Sequence, residues 1–290
     1  MKDFVLYIDT DSLFCHIGGF LEAQGIPMDK WNALDQDTKT DYIIRISKQI
    51  EKVINDRMYD EIQMDHYKSI VDKDIFTISF KQEIVCSSAL FINPKMYTFR
   101  VINEEGFSCD KVDSKGIEVV RSTSPKMFRA TLKELIRRIL AEESDDELID
   151  FIEDSKKKFY DADVEDISIN VSVNNISKYI NDDGVCGKGT PYALKGLNNY
   201  HTLIDQFGLK QKYPRIQEGD KCKFVYLKDN QYKAESVSFY DWPKEFQKHG
   251  ISPDVSKMID KYFVKKTLIL LSPINREKIL QGRSSVDEFF

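Results

Sequence analysis

The sequence predicts an α+β fold in which an antiparallel sheet is packed by helices and is followed by a mostly helical second part with small β elements. Three observations carry that expectation. The chain opens with FVLYIDTDSLFCHI, Phe4 to Ile17, two apolar runs rich in aromatic and β-branched residues that meet at Asp-Thr-Asp, the pattern of a β-hairpin. DYIIRISKQIEKVINDRMYDEIQ then repeats Ile43, Ile46, Ile50, Val53, Ile54 and Met58 at helical spacing, the signature of a long amphipathic helix. Strand-like runs follow around Glu83 and around Lys95 and Tyr97, and beyond Ser124 helical periodicity takes over.

At the hairpin tip, Asp9 and Asp11 are two residues apart, and such residues face the same side of an extended chain. Converging carboxylates suit a hard divalent cation such as Mg²⁺, which takes oxygen ligands and commonly only one or two protein carboxylates, leaving room for phosphates. An ordinary polar turn has the same composition. Both readings stay open on these residues. Residues 18 to 40, with Gly18, Gly19, Gly25 and Pro27, read as a loop with a short helix. IFTISFKQEIVCS and ALFINPKMYTFRVIN read as strands separated by polar turns. Ser124 before Pro125 is a helix start, a capping hydroxyl followed by a proline in the first turn. The helix it opens carries Phe128, Leu132, Leu135, Ile136 and Ile139 on one face and Lys126, Arg129, Lys133, Arg137 and Arg138 elsewhere. That basic surface fits a phosphate track or a solvated face. A second helix runs from Asp145 to Tyr160, ISINVSVNNISKY alternates and then turns polar, and DDGVCGKGTPYALKG is rich in glycine. Small strands are expected between 213 and 242 around a turn at Asp229 and Asn230, then a helical SPDVSKMIDKYFVKKTLILL, then a polar tail ending in SSVDEFF.

Composition narrows the classes. No apolar run is long enough to cross a bilayer, and the N-terminal apolar run is too short for a signal peptide. Five cysteines, Cys15, Cys86, Cys109, Cys186 and Cys222, are odd in number and never in CxxC pairs, so a disulfide framework or zinc site is not expected and a reducing cytoplasm is. With 42 basic against 48 acidic residues the net charge is -6, so any contact with nucleic acid must come from local basic patches.

Taken in order, the motifs resemble the C-terminal part of a family B DNA polymerase of the T-even-like phage type. DFVLYIDTDS is similar to that family's third palm motif, with Ile8 where glycine is common. FKQEIV resembles the palm segment bearing a further acidic residue, which would be Glu83, and NPKMYTF resembles the KKRY segment with only Lys95 and Tyr97 kept. SKGIEVVRSTSP resembles the hinge into the thumb, VSVNNISKY the thumb segment that follows the duplex backbone, KGTPYALKG the basic stretch after it, and SVDEFF the tail that holds a sliding clamp.

The resemblance implies a partial palm over residues 1–114, a thumb over 115–283 and a clamp-binding tail over 284–290. It implies two Mg²⁺ ions shared with the partner chain, with Asp9 and Asp11 as this chain's metal ligands and Glu83 as a further catalytic carboxylate, an outer or substrate-dependent ligand. DNA contacts fall to Lys95, Tyr97, Asn174, Asn175, Lys178, Lys188 and Lys195, and clamp contacts to Val286, Phe289 and Phe290. The exonuclease, the palm motif with the other metal-binding aspartate (motif A) and the fingers are not found in the sequence. The implied chain is therefore the C-terminal subunit of a split DNA-directed DNA polymerase, active with an N-terminal partner on primer-template DNA and dNTP. The alternative is a non-catalytic DNA- and clamp-binding module with a vestigial hairpin.

Overall fold

Alternation along FVLYID decides where the hairpin's side chains go. In the computed structural model, which describes residues 4–62, 78–117, 124–181 and 184–282, β1 (Val5–Asp9) pairs antiparallel with β2 (Ser12–Cys15). Tyr7 and Asp9 share the inner face, while Leu6 and Ile8 point out, 57% and 65% exposed. The chain divides into two units, residues 1–115 and 116–290.

In the first unit, β3 (Ile84–Asn93), β4 (Met96–Glu104) and β5 (Phe107–Lys115) form an antiparallel meander in that order. The central strand supplies the core. Tyr97, Phe99 and Val101 of β4 are buried, with Tyr7, Phe14 and Phe91 packed against them. Phe14 stacks on Phe99 with ring centroids 5.2 Å apart, and Tyr7 meets Tyr97 edge-on at 5.6 Å. Such pairs add about 0.5–1.5 kcal/mol each beyond area burial. A two-stranded hairpin, marginal by itself, is thereby fixed to the sheet.

Three details differ from the sequence reading. Residues 18 to 40 hold two short helices, α1 (Ile17–Ala23) and α2 (Met28–Asn32), and the start of α3 (Gln36–Ile62). Burial of Leu21 and Trp31 supports the short helices despite the local glycines. The long helix begins early because Asp35 caps it, accepting the Thr38 N–H at 2.8 Å and the Thr38 hydroxyl at 2.6 Å. Next, β3 continues through Ser87 and Ser88, where its pairing register with β4 shifts, with Glu83 just ahead of it, and the chain reverses at Pro94 and Lys95. Finally, β5 escapes a hydrophobicity reading because it is an edge strand whose side chains are mostly exposed and polar. The Asn55 side chain bonds both the N–H and the carbonyl of Phe80, at 2.7 and 2.9 Å, tying α3 to the segment that enters β3.

In the second unit, α4 (Lys126–Leu140) and α5 (Asp145–Tyr160) pack through Phe128 and Phe159, whose rings are 4.4 Å apart, with Phe263 4.9 Å from Phe159. The expected Ser124 cap is not formed. Pro125 occupies the cap position of α4, and the Ser124 hydroxyl is buried without a hydrogen-bond partner among the described residues. Ser144 and Glu147 instead form a full capping box on α5. After α6 (Val164–Ile167), β6 (Ile169–Ser172) joins β7 (Lys221–Tyr226) and β8 (Ser236–Phe239) in a three-stranded antiparallel sheet.

Between β6 and β7 lie α7 (Ile176–Tyr179) and α8 (Tyr192–Gln206), a fifteen-residue helix hidden in the glycine-rich stretch. Gly196 explains the composition: a Cβ there would sit 2.9 Å from the Ser238 backbone nitrogen, so only glycine lets α8 lie this close to β8. The last α-helical run is α9 (Val255–Ile259), a π turn (Asp260–Val264) and α10 (Lys265–Leu271), followed by 3-10 turns at Ser272–Ile274 and Glu277–Gln281. All five cysteines are free thiols, and among the described residues no helix is long and apolar enough to cross a membrane.

Candidate functional site

Asp9 ends β1 on the inner face, so the alternation that buries Tyr7 also buries its carboxylate, which is 5% exposed. Tyr97 opposes this burial by donating its hydroxyl to Asp9 Oδ2 at 2.9 Å. The Nζ of Lys95 lies 3.8 Å from Oδ1, and that of Lys115 lies 3.7 Å from Oδ2. The Tyr97 hydrogen bond holds the Asp9 pKa below the usual carboxylate value against the effect of burial, and the two lysines lower it further. Asp9 is therefore ionised at neutral pH. Burial and the Asp9 hydrogen bond push Tyr97 up, so it stays protonated and remains a donor.

The lysines are positioned by backbone. Lys95 sits in the reversing turn with φ 63°, and its N–H donates to the Tyr7 hydroxyl at 2.8 Å. Lys115 stands opposite Tyr97 in the β4–β5 ladder, its Nζ 6.0 Å from the Tyr97 ring centroid. A hydrogen bond with Tyr97 leads the causes that raise the Lys115 pKa.

The tip itself departs from an extended chain. Thr10 has φ 54°, unusual for a β-branched residue and a strain of order 1–3 kcal/mol. It is held by hydrogen bonds from the Asp11 N–H at 2.6 Å and the Ser12 hydroxyl at 3.0 Å, both to the Asp9 carbonyl. The simple alternation that would place both carboxylates side by side stops there: Asp9 is buried, whereas Asp11 is exposed in the turn. Asp11 still lies within the electrostatic field of Lys115.

Glu83 is not brought to this group. It is exposed just before β3, where its carbonyl accepts the Glu105 N–H at 2.7 Å, whereas Tyr97 faces Phe91 near the other end of the strand. Eight residues of strand separate Glu83 from Phe91, about 26 Å at 3.3 Å per residue. Among the described residues no three His, Cys, Asp or Glu side chains cluster as a metal site.

Sequence reasoning reached Asp9, Asp11, Lys95 and Tyr97 but not Lys115. The stretch SKGIEVVRSTSP contains it, yet nothing in that stretch says that β5 pairs so as to return it to the first strand.

In the second unit, Asn174 and Asn175 are exposed ahead of α7, and Asn175 has φ 61°. The Glu218 carboxylate accepts the N–H groups of Asn175 and Ile176 at 2.5 and 2.8 Å and so fixes this loop. The Tyr179 carbonyl accepts the Gly187 N–H at 2.8 Å, which joins α7, carrying exposed Lys178, to the turn carrying exposed Lys188. That turn leads into α8, where Lys195 lies over the Tyr192 ring at 5.4 Å. Two further lysines converge there. Lys261 is 5.2 Å from the Tyr192 ring and 4.3 Å from that of Tyr226, to whose hydroxyl it donates at 2.8 Å, and Lys257 is 4.6 Å from the Tyr226 ring. The sequence reading missed this pair because they face Tyr226 only through tertiary packing. Val286, Phe289 and Phe290 lie outside the described residues.

The family model described as DNA polymerase family B matches residues 36–274, a span that begins after the hairpin. The chain is 23% identical over 280 residues to the DNA-directed DNA polymerase of Enterobacteria phage T4, covering 91% of this chain and 29% of that protein. It is 24% identical over 284 residues to the DNA-directed DNA polymerase of Escherichia phage RB69, covering 90% of this chain and 29% of that protein. It thus spans under a third of the length of these relatives. A sheet carrying an aspartate, a tyrosine and two lysines at one end, a helical unit edged with lysines, and a family match over most of the chain agree: this chain belongs to DNA polymerase family B.

Proposed function

We propose that the chain supplies the Asp9–Asp11 hairpin and a duplex-gripping helical unit to a DNA-directed DNA polymerase that adds nucleotides to a primer 3′-OH. The convergence of Tyr97, Lys95 and Lys115 on one buried, ionised aspartate carries this reading, because carboxylates perturbed by burial and by specific charged partners concentrate at functional sites. The donor set fits part of a Mg²⁺ site: Asp11 offers an exposed carboxylate, Asp9 two residues before it is ionised, and oxygen ligands are what this cation takes. When bound, two such cations would activate the primer hydroxyl and neutralise charge on the leaving pyrophosphate. The chain's own contribution is to hold Asp11 at a fixed turn and to keep Tyr97 and Lys95 beside the primer terminus. Glu83 has no part in this arrangement as the sheet is built.

The remaining carboxylate comes from a polypeptide equivalent to the rest of a phage-type polymerase, with exonuclease, motif A and fingers. Leu6 and Ile8, exposed on the outer face of the hairpin, support such a partner, because an apolar sheet face and open strand edges are usually covered. In the second unit, Asn174, Asn175, Lys178, Lys188 and Lys195, with Lys257 and Lys261, make sequence-independent contacts along the duplex. The tail residues Val286, Phe289 and Phe290 dock on a sliding clamp.

Primer extension tests the reading. The purified chain with primer-template, dNTP and Mg²⁺ is expected to be inactive, and to gain synthesis when the complementary polypeptide is added. Asp11→Asn should abolish that synthesis while primer-template binding stays within about twofold, since its carboxylate binds cation rather than DNA. Extension by the chain alone sinks the split arrangement, and synthesis by Asp11→Asn sinks the ligand assignment. The placement of Glu83 favours a second reading, a non-catalytic DNA- and clamp-binding module. DNA binding with no synthesis in any pairing would establish it.

A further inference from the structure

Asn175, at the start of α7, does not do what an asparagine usually does there. In that position the side chain ordinarily caps the helix by accepting one of its free backbone N–H groups. Here the backbone is left-handed, with φ 61°, and the side chain makes no capping bond. The task passes to Glu218, 43 residues along the chain, whose two oxygens take the N–H groups of Asn175 and Ile176 at 2.5 and 2.8 Å. Hydrogen bonds to a carboxylate are roughly twice as strong as neutral ones, and a forked pair also fixes direction. Glu218 stands on a firm base. The Gly219 N–H donates to the Val173 carbonyl at 2.7 Å and the Val173 N–H to the Asp220 carbonyl at 2.9 Å, with Val173 fully buried. The Asp220 carboxylate in turn accepts the Gln217 N–H at 2.7 Å and the Tyr240 hydroxyl.

From this arrangement we infer that Glu218 is the positioning residue of the loop that meets DNA. By taking over the cap it releases the Asn175 amide, and it presents that amide together with exposed Asn174 and Lys178 in a set conformation. The inference rests on the nucleic-acid reading of these residues above and names what orders them. A carboxylate at such a place repels phosphates, so by charge alone Glu218 weakens DNA binding. Its two backbone bonds act in the opposite sense. A loop ordered before binding loses no freedom when DNA arrives, whereas a loosened one does, at about five- to thirtyfold in affinity for each backbone residue fixed. Ordering is the larger of the two effects, because the repulsion of an exposed carboxylate is screened within about 10 Å in 0.1 M salt.

The sign of the effect can be read from binding of a fluorescein-labelled primer-template to the intact chain, followed by anisotropy in about 0.1 M KCl. Glu218→Gln keeps the size, removes the charge and turns an NH₂ group toward one of the two N–H donors. It is expected to weaken binding by about five- to thirtyfold, against the strengthening that charge alone would give. In a chain already carrying Asn174→Ala, Asn175→Ala and Lys178→Gln, the same substitution is expected to change binding by less than about twofold, because the groups it positions are gone. Equal weakening in both backgrounds marks a merely structural role and overturns the inference, as does unchanged or tighter binding by Glu218→Gln alone. Urea midpoints show whether each variant is folded at the assay temperature. Should Glu218→Gln not be, Glu218→Asp, which keeps the charge but is one carbon shorter, is scored in the same two backgrounds. Undiminished binding by the chain lacking the two amides and Lys178, or no binding by the unsubstituted chain, overturns instead the reading of this loop as a DNA contact, and the inference with it.

Discussion

Mild acid should loosen the second unit through one imidazole. His201 lies on α8, and its Nε2 accepts the Ile216 N–H at 3.1 Å, a bond that only the neutral ring can make. Burial, reinforced by Arg215, holds its pKa down at about 4 against an ordinary 6.5. An unfolded chain protonates this ring near its ordinary value, so between the two values the unfolded state binds more protons. Native stability attributable to His201 is therefore complete above pH 6.5, falls as pH drops toward about 4, and falls no further below that. At about 1.4 kcal/mol per pH unit the loss is about 3 kcal/mol at most, a large part of the usual margin of roughly 5–15 kcal/mol. His201→Gln keeps a side-chain acceptor and cannot take up the proton. Urea unfolding of both proteins at several pH values should be followed by fluorescence of Trp242, which packs on Phe239 and Phe246 inside this unit. Stability of the unsubstituted chain should fall relative to the variant as pH drops from 6.5 to about 4, with no further divergence below. Parallel pH profiles would refute the burial argument.

Gly196→Ala should destabilise the second unit by about 1–3 kcal/mol, read as a lower urea midpoint, because the new methyl meets the backbone of β8 rather than a yielding side chain. Lys257→Gln and Lys261→Gln should each lower the salt slope of primer-template binding by about 1, if the lysines around Tyr192 and Tyr226 contact phosphates. Unaltered slopes would return these lysines to a structural role on the tyrosines. Removal of residues 284–290 should shorten products made with a sliding clamp and leave clamp-free synthesis as it was. Equal shortening without clamp would refute the tail assignment.

Much of the fold was legible because it is written in short periods. Two apolar, β-branched and aromatic runs meeting at Asp-Thr-Asp specify the hairpin, and the stripe from Ile43 to Met58 specifies α3, since each pattern needs only neighbouring residues to be read. The second helix begins and ends at Asp145 and Tyr160 as its composition suggests, with a capping box at its start. Where the reading failed, distant packing had overruled local preference. Helix α8 tolerates Gly196 because of Ser238, the short helices persist through burial of Leu21 and Trp31, and β5 is a strand only because β4 lies beside it.

The site divides along the same line. By itself the sequence determined which residues are available for chemistry: two aspartates at a hairpin tip, a lysine and tyrosine in the next strand region, and the motif order that resembles family B. Only the tertiary structure decided how they are used. It buried Asp9 and exposed Asp11, left Glu83 at the far end of a strand, and returned Tyr97, 88 residues away, to donate to Asp9. It also brought in Lys115, which no local pattern singles out. The physical reason is that hydrophobic period is a local property of a chain. Strand pairing, and with it the placement of charges around a buried carboxylate, depends on which distant segments bury their apolar faces together.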